Sequence, residues 1–231
     1  VTTVGHVITA TATPDLGGGS FGGTSEFSAS VSVSAAANAA PIDLYKIDSF
    51  ADTSLIGVYG FDNSTDLGRD DAGNHAPITL HGNPGQTTGP SGSGALDLAG
   101  GTSGQYGDIV GITTGGAMSF AASVRFNTTG FWQRVFDFGQ PFSSGIGAIY
   151  VGRFSNSSDL TFTLEKDLGG GNWEVYRATA TNVIVDGAWM HFTATVDSSG
   201  SMALYINGSL AATAQGVAPE VGVRTNNFIG K

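Results

Sequence analysis

The feature that most constrains this chain is a period of two: along many short segments, every second residue is apolar. In the segment 118–126 the apolar residues run from Met118 through Phe120 to Phe126, with small or polar residues between most of them. The same period recurs over 160–165, 189–197 and 201–206. Such a period places one side of a strand in a core and the other toward solvent. No apolar repeat at helical spacing persists, so the sequence predicts an all-β fold, an antiparallel β-sandwich.

The alternation also predicts which side chains are buried. The residues expected between the two sheets are Phe120, Phe136, Phe162, Phe192 and Leu204. On the segment 160–165, Thr161 and Thr163 alternate with the apolar residues, so we expect them on the wetter face. The turns between strands are predicted at Asp197-Ser-Ser-Gly200 and at Asn207-Gly208.

Composition narrows the classes of protein to which the chain could belong. Glycine occupies 36 of 231 positions and charged residues only 12%, which favours short strands and tight turns over long charged helices. The formal net charge of −10 is spread along the chain without a Lys/Arg cluster, which argues against a nucleic-acid partner. The absence of cysteine excludes thiol chemistry and disulfides. No uncharged stretch reads as a membrane span, so membrane insertion is not expected.

The pattern divides the chain into three parts. Residues 1–36 predict a β-hairpin with a Gly-rich tip, and residues 37–54 predict a linker that contains Pro41. An Ala-rich helical turn within the linker is the alternative. The sandwich is expected over 55–231, with its first strand at 55–61.

Several blocks in this third part carry a family likeness. They include VYGFD at 58–62, GALDL at 94–98, RVFDFG at 134–139 and LYING at 204–208. In this order they resemble the laminin G-like, concanavalin A-like jelly-roll domain of bacterial surface proteins, whereas 1–36 resembles the end of an Ig-like bacterial repeat. The resemblance implies a further strand after the Phe-Ile-Gly block at 228–230. We therefore expect the sandwich to lack its last strand and to leave the sheet edge at 55–61 open.

Some relatives of this jelly roll are glycanases, which need two carboxylates roughly 5 Å apart. Their pattern is Glu-x-Asp-x-x-Glu. Here Glu165-Lys-Asp167 supplies the first two acids, but Gly170 occupies the place of the third. The four histidines are not spaced as a zinc site. The sequence therefore predicts a non-catalytic domain.

A calcium site is the cofactor that the resemblance implies. The predicted ligands are Asp62, Asp70, Asp71 and Asn74, which lie in a loop with the oxygen-rich composition that this cation prefers. The alternative is an ordinary turn in which Arg69 neutralises a carboxylate.

Aromatic residues and one histidine are the candidates for ligand contact. They are Trp132, Trp173, Trp189 and His191. Trp189 and His191 are expected on one strand face opposite the core, where they could contact a sugar. The alternative for each tryptophan is core or edge packing, and for His191 a half-exposed place on the sheet.

These observations predict a non-catalytic binding or adhesion module that is secreted or displayed on a bacterial surface, with a glycan or a cell-surface protein as its partner. A second hypothesis is a structural subunit of a surface fibre that self-associates by pairing strands at open sheet edges. A third is a glycan-active enzyme or its accessory domain.

Overall fold

The computed structural model describes residues 55–73, 77–98, 104–127, 130–139 and 147–231, and one compact unit spans Ile56–Lys231. The described ranges contain no α-helix, one short 3-10 helix (Pro90–Gly92) and the following strands. They are β1 Thr79–His81, β2 Gly85–Thr88, β3 Gly94–Asp97, β4 Tyr106–Asp108, β5 Ile112–Thr114, β6 Met118–Arg125, β7 Arg134–Gly139, β8 Ile149–Arg153, β9 Leu160–Gly169, β10 Asn172–Ala180, β11 Trp189–Val196, β12 Ser201–Ile206, β13 Ser209–Gln215, β14 Gly222–Arg224 and β15 Asn226–Ile229. Within these ranges, no helix is long and apolar enough to cross a membrane. The predicted hairpin 1–36 and linker 37–54 lie outside the described residues.

Two antiparallel sheets form the body of the domain. A seven-stranded sheet has the order β1-β4-β15-β7-β8-β9-β10, and a four-stranded sheet has the order β13-β12-β11-β6. Two small ribbons, β2-β3 and β5-β14, complete the described pairings. The predicted all-β antiparallel fold is therefore confirmed. The Asn207-Gly208 turn is also confirmed, since both residues have the positive φ angles that a two-residue hairpin loop requires.

The apolar faces of the two large sheets bury the core. Phe162, Phe192 and Leu204 are fully buried, and Phe120 is 9% exposed. Phe136 is only partly buried but packs against this core, with its ring centroid 5.5 Å from that of Phe120. The five predicted core residues thus occupy the space between the sheets, as the alternation indicated.

The first half of strand β9 differs from the prediction, because both of its faces are buried over 160–164. Thr161 and Thr163 were expected on a wetter face, yet they are 1% and 0% exposed. The register places the larger side chains of Tyr150 and Arg177 on either side of Thr163, and the two threonine hydroxyls lie 2.6 Å apart in a hydrogen bond. Alternation within one strand cannot reveal shielding by neighbouring strands.

The expected first strand at 55–61 is wrong, because this segment pairs with no strand. Instead, the amides of Val58 and Gly60 donate to the carboxylates of Asp70 and Asp71, at 2.9 and 3.0 Å. The segment is thus held by side chains from a loop, which replace the backbone carbonyls of a neighbouring strand. The outer strands of the large sheet are β1 and β10, so the open edge predicted at 55–61 is not found.

Truncation of a buried phenylalanine tests the register of the sandwich. We expect Phe192→Ala to lower the free energy of unfolding by about 3 to 5 kcal/mol, because it removes apolar contact and leaves a cavity. Phe131→Ala is the matched control, since Phe131 is 73% exposed and its loss should cost less than about 0.5 kcal/mol. Denaturant titration measures both values, and equal losses for the two variants would contradict the register.

Candidate functional site

The side of the seven-stranded sheet that faces away from the core is polar and aromatic. The register aligns one row of side chains across all seven strands on this side: Thr79, Asp108, Phe228, Asp137, Tyr150, Thr163 and Arg177. The adjacent row, with Ile229, Phe136, Val151 and Phe162, packs into the core. Since side chains alternate along each strand, the first row points outward. We call this side the seven-strand face.

A β-bulge sets the centre of this face. The pairing of β7 with β8 shifts between Arg134 and Phe136. In a regular strand, Arg134 and Asp137 would lie on opposite faces because they are three residues apart. The bulge brings them to the same face, where Arg134 Nε lies 3.8 Å from Asp137 Oδ2 and the guanidinium carbon lies 3.4 Å from the Tyr150 ring centroid.

The other end of the face is aromatic. The ring of His81 stacks on Tyr106 with centroids 4.5 Å apart, and Tyr106 contacts Phe228 edge-on at 5.3 Å. The backbone at Gly107, between Tyr106 and Asp108, admits no side chain, because a Cβ there would lie 2.5 Å from Ile78 Cγ2. This close packing holds β4 against the core and fixes Tyr106 and Asp108 on the outer side.

Two polar atoms at this aromatic end lack a hydrogen-bond partner in the part of the chain that the structure describes. His81 Nε2 and Asp108 Oδ1 are shielded from solvent, and neither has a hydrogen-bond partner among the described residues. The register puts both side chains on the seven-strand face, because His81 faces Tyr106 and Asp108 is two residues further along β4. Buried polar atoms in proteins are nearly always hydrogen-bonded, so an unsatisfied pair beside the partly buried rings of Tyr106 and Phe228 is unusual.

Carboxylates converge around Tyr150 at the centre of the face. Its hydroxyl donates to Glu165 Oε1 at 2.7 Å, and Asp137 is its register partner on β7. Burial raises the pKa of Asp137, with Arg134 opposing and Glu165 reinforcing the shift. A carboxyl group in this environment holds its proton to a higher pH than an exposed aspartate.

The raised pKa predicts a pH dependence of stability. A carboxyl whose pKa is higher in the folded state stabilises the fold at low pH, and this stabilisation is lost as pH rises through the folded-state pKa. We expect Asp137→Asn to be at least as stable as the wild type near neutral pH. The advantage should shrink as pH falls below the folded-state pKa. Unfolding free energies measured from pH 3 to pH 8 test this, and a variant less stable than wild type at every pH would contradict it.

The four residues predicted to contact a ligand fall on two opposite sides of the sandwich. Trp132 lies beside the seven-strand face, 5.6 Å from the Arg134 guanidinium carbon, and Trp173 lies on that face opposite Asp167. Trp189 and His191 lie on the outer side of the four-stranded sheet, as predicted, opposite Arg125 and Ser123. The four therefore do not form one site.

Sequence patterns missed His81, Asp108, Arg134 and Asp137, since only strand pairing and a bulge bring them together.

The predicted calcium ligands are engaged in hydrogen bonds. Asp70 Oδ1 accepts from the amides of Val58 and Ala72, and Asp62 Oδ1 accepts from the amide of Gly94. Asp71 accepts from Gly60 and forms an ion pair with Arg69.

Across the described ranges, no three His, Cys, Asp or Glu side chains are arranged to hold a metal ion. Asn74 lies outside those ranges, so calcium at this loop stays a prediction.

Substitution at Asp70 tests whether the loop is stabilised by its hydrogen bonds or by a bound cation. Asp70 is 7% exposed, so Asp70→Ala leaves two shielded amides without an acceptor and should cost about 1 to 3 kcal/mol of unfolding free energy. Asp70→Asn keeps an acceptor oxygen and should cost less, and the exposed Asp66→Ala is the control.

Thermal melts of wild type and Asp70→Ala in EDTA and in calcium complete this test. A lower Tm of the wild type in EDTA supports a bound cation. If the Asp70→Ala variant is as stable as Asp66→Ala, the hydrogen-bonding role is wrong.

The sequence matches a known protein family. A laminin G family model, described as the concanavalin A-like lectin/glucanases superfamily, matches residues 98–231, more than half of the chain. The chain belongs to this superfamily. No curated protein matches the sequence.

Several solved structures are similar at low identity. The binding domain of botulinum neurotoxin serotype C1 is 16% identical with a TM-score of 0.45, and the match covers 70% of this chain but 40% of the toxin chain. The carbohydrate-binding module CBM66 from Bacillus subtilis is 11% identical (TM-score 0.39), with 68% of this chain and 92% of the module covered. An endo-β-1,4-glucuronan lyase from Trichoderma reesei is 13% identical (TM-score 0.44), with 68% and 79% covered.

Proposed function

We propose that this domain is a non-catalytic glycan-binding module whose ligand lies at the β1-β4-β15 end of the seven-strand face. The observation that carries the proposal is the pair of unpartnered atoms, His81 Nε2 and Asp108 Oδ1, beside the stacked ring of Tyr106. Sugars present hydroxyl donors at the edge of the ring and C–H groups on its face. An aspartate acceptor next to an aromatic ring therefore complements both parts of a sugar.

The part of the face that suits a ligand is its β1-β4-β15 end. At the centre of the face, Tyr150 and Thr163 are buried. Of the three cations on this side, Arg134 is engaged with Asp137 and Tyr150, and Lys231 lies over the ring of Phe228. The third, Arg177, is exposed on β10, at the opposite edge of the sheet from Asp108. With Asp108, Asp137 and Glu165 on the same side, the face favours a neutral oligosaccharide over an acidic one.

Removal of the unpartnered acceptor tests the site without unfolding the protein. Asp108→Ala deletes an atom that makes no hydrogen bond among the described residues, so the unfolding free energy should stay within about 1 kcal/mol of wild type. Wild type should bind neutral oligosaccharides on a glycan array, and Asp108→Ala and His81→Ala should lose most of that binding. Asp66→Ala is the surface control, and wild-type protein that binds no neutral glycan contradicts the proposal.

A second candidate, a glycan-active enzyme, has one observation in its favour. Asp137, with its raised pKa, and Glu165 both adjoin Tyr150, and the strand order supplies this pair where the Glu-x-Asp-x-x-Glu pattern does not. A proton-holding acid beside a second carboxylate is the arrangement that glycoside hydrolysis uses. Release of reducing sugar from a β-glucan by wild type, lost in Asp137→Asn, would favour the enzyme over the binding module.

The remaining parts of the proposal concern location and assembly. We infer display outside the cell as the setting in which a glycan-binding module of this size meets its ligand. Self-association by strand pairing was based on an open edge at 55–61, which the structure replaces with a loop-bound segment. Assembly through the other sheet edges stays a prediction that light scattering of the full chain can test.

A further inference from the structure

Arg125, on the opposite side of the sandwich, forms no ion pair with any of the described residues. It pairs with Trp189 across the four-stranded sheet, and its guanidinium carbon lies 5.0 Å from the indole ring centroid. Its side chain is half-buried. Among the described residues, no carboxylate lies within ion-pair distance of Arg125 and no acceptor receives a hydrogen bond from it.

Four of the other five arginines have an ion-pair or hydrogen-bond partner. Arg69, Arg134 and Arg153 each pair with an aspartate, and the buried Arg224 donates to backbone carbonyls. Arg177 also has no ion pair in the described ranges, but it is exposed and water can solvate it. A half-buried guanidinium loses part of its hydration, and only an acceptor with the geometry of its five N–H groups replaces that hydration well.

The surroundings of Arg125 complete a site. Ser123 precedes it by two residues on β6 and therefore lies on the same face. The Ser123 hydroxyl is 3.3 Å from Nδ1 of His191, the register partner of Ser123 on β11. We call Ser123, Arg125, Trp189 and His191 the arginine patch.

The outer side of β6 beyond the patch carries only small side chains. Ala121 and Ser119 continue the outer side of β6, and both are exposed. Their small side chains do not rise above the sheet, so a ring can approach the patch from this direction. Burial lowers the pKa of His191, and the imidazole is therefore neutral near pH 7 and can exchange hydrogen bonds with hydroxyls.

We propose that the arginine patch is a second binding site, which takes the carboxylate of a uronic acid residue in a glycan. A guanidinium group and a carboxylate are planar and match in two parallel N–H···O bonds. The ring of Trp189 packs against the guanidinium of Arg125, and Ser123 and His191 supply polar groups for the hydroxyls of the same sugar. In a protein of net charge −10, an anionic ligand needs such a specific cation.

The test uses two probes that differ only at C6: a β-1,4-linked tetraglucuronate and cellotetraose. The indole N–H resonance of Trp189 reports binding at the patch. Tetraglucuronate should shift this resonance and bind at least tenfold more tightly there than cellotetraose. Arg125→Gln should remove that preference, and Arg125→Lys should lose most of it because lysine keeps the charge but not the planar fork. Arg177→Gln removes an arginine from the opposite side of the sandwich and is the matched control, so it should leave the Trp189 response to tetraglucuronate unchanged.

Two further measurements keep the test decisive. His191→Ala should weaken tetraglucuronate binding less than Arg125→Gln does, which separates a supporting polar contact from the main cation. Asp108→Ala should leave the Trp189 response intact, because it alters the opposite side of the sandwich. The failure of the neutral-glycan proposal and the failure of this one are therefore distinguishable. Equal affinities for the two probes, or an equal loss in Arg177→Gln, would overturn the assignment.

Discussion

The pairing register of the seven-stranded sheet is the constraint on which the rest of the structure depends. Burial of Phe136, Val151 and Phe162 against the second sheet fixes which residue of each strand points inward. Because side chains alternate between the two sides of a strand, the same register also fixes which residues point outward. A slip of one residue in β8 would bury Tyr150 in the core and expose Val151. The core therefore determines the composition of the seven-strand face without contacting any ligand.

One departure from regular pairing gives that face its chemistry. The bulge in β7 moves Arg134 to the same side as Asp137 and onto the ring of Tyr150. Bulges re-aim single side chains at a small cost in ladder hydrogen bonds, and they are common beside functional sites. Without it, Asp137 would share a half-buried face with Glu165 and no nearby cation from its own strand. The bulge thus moderates a like-charge contact that the strand order creates.

The two outer faces of the sandwich differ in which polar and charged groups lack a partner among the described residues. On the seven-strand face, Arg134 is paired, Arg177 is exposed at the β10 edge, and the buried polar atoms without a partner among the described residues are Asp108 Oδ1, an acceptor, and His81 Nε2. On the four-stranded sheet, the unsatisfied group is the cation of Arg125, held on Trp189. Free acceptors suit hydroxyl donors and a free guanidinium suits a carboxylate, so the faces complement different glycan chemistries.

The sequence by itself determined the strands and the core, because both depend on local alternation. The period of two in 118–126 and 189–197 correctly placed Phe120 and Phe192 inside, and the Asn207-Gly208 turn followed from the positive φ angles that these residues tolerate. The same alternation correctly put Trp189 and His191 on one outer face.

Only the tertiary structure decided which strands are neighbours, and the candidate sites depend on that choice. His81 and Asp108 come from β1 and β4, and Asp137 and Glu165 flank Tyr150 only because β7, β8 and β9 are adjacent. Thr163 is buried for the same reason, since Tyr150 and Arg177 on the neighbouring strands flank it. At 58–60, loop carboxylates satisfy amides that the alternation had assigned to a ladder. The physical reason is that alternation records which side of a strand meets a core, whereas strand order and side-chain capping depend on partners distant in the sequence.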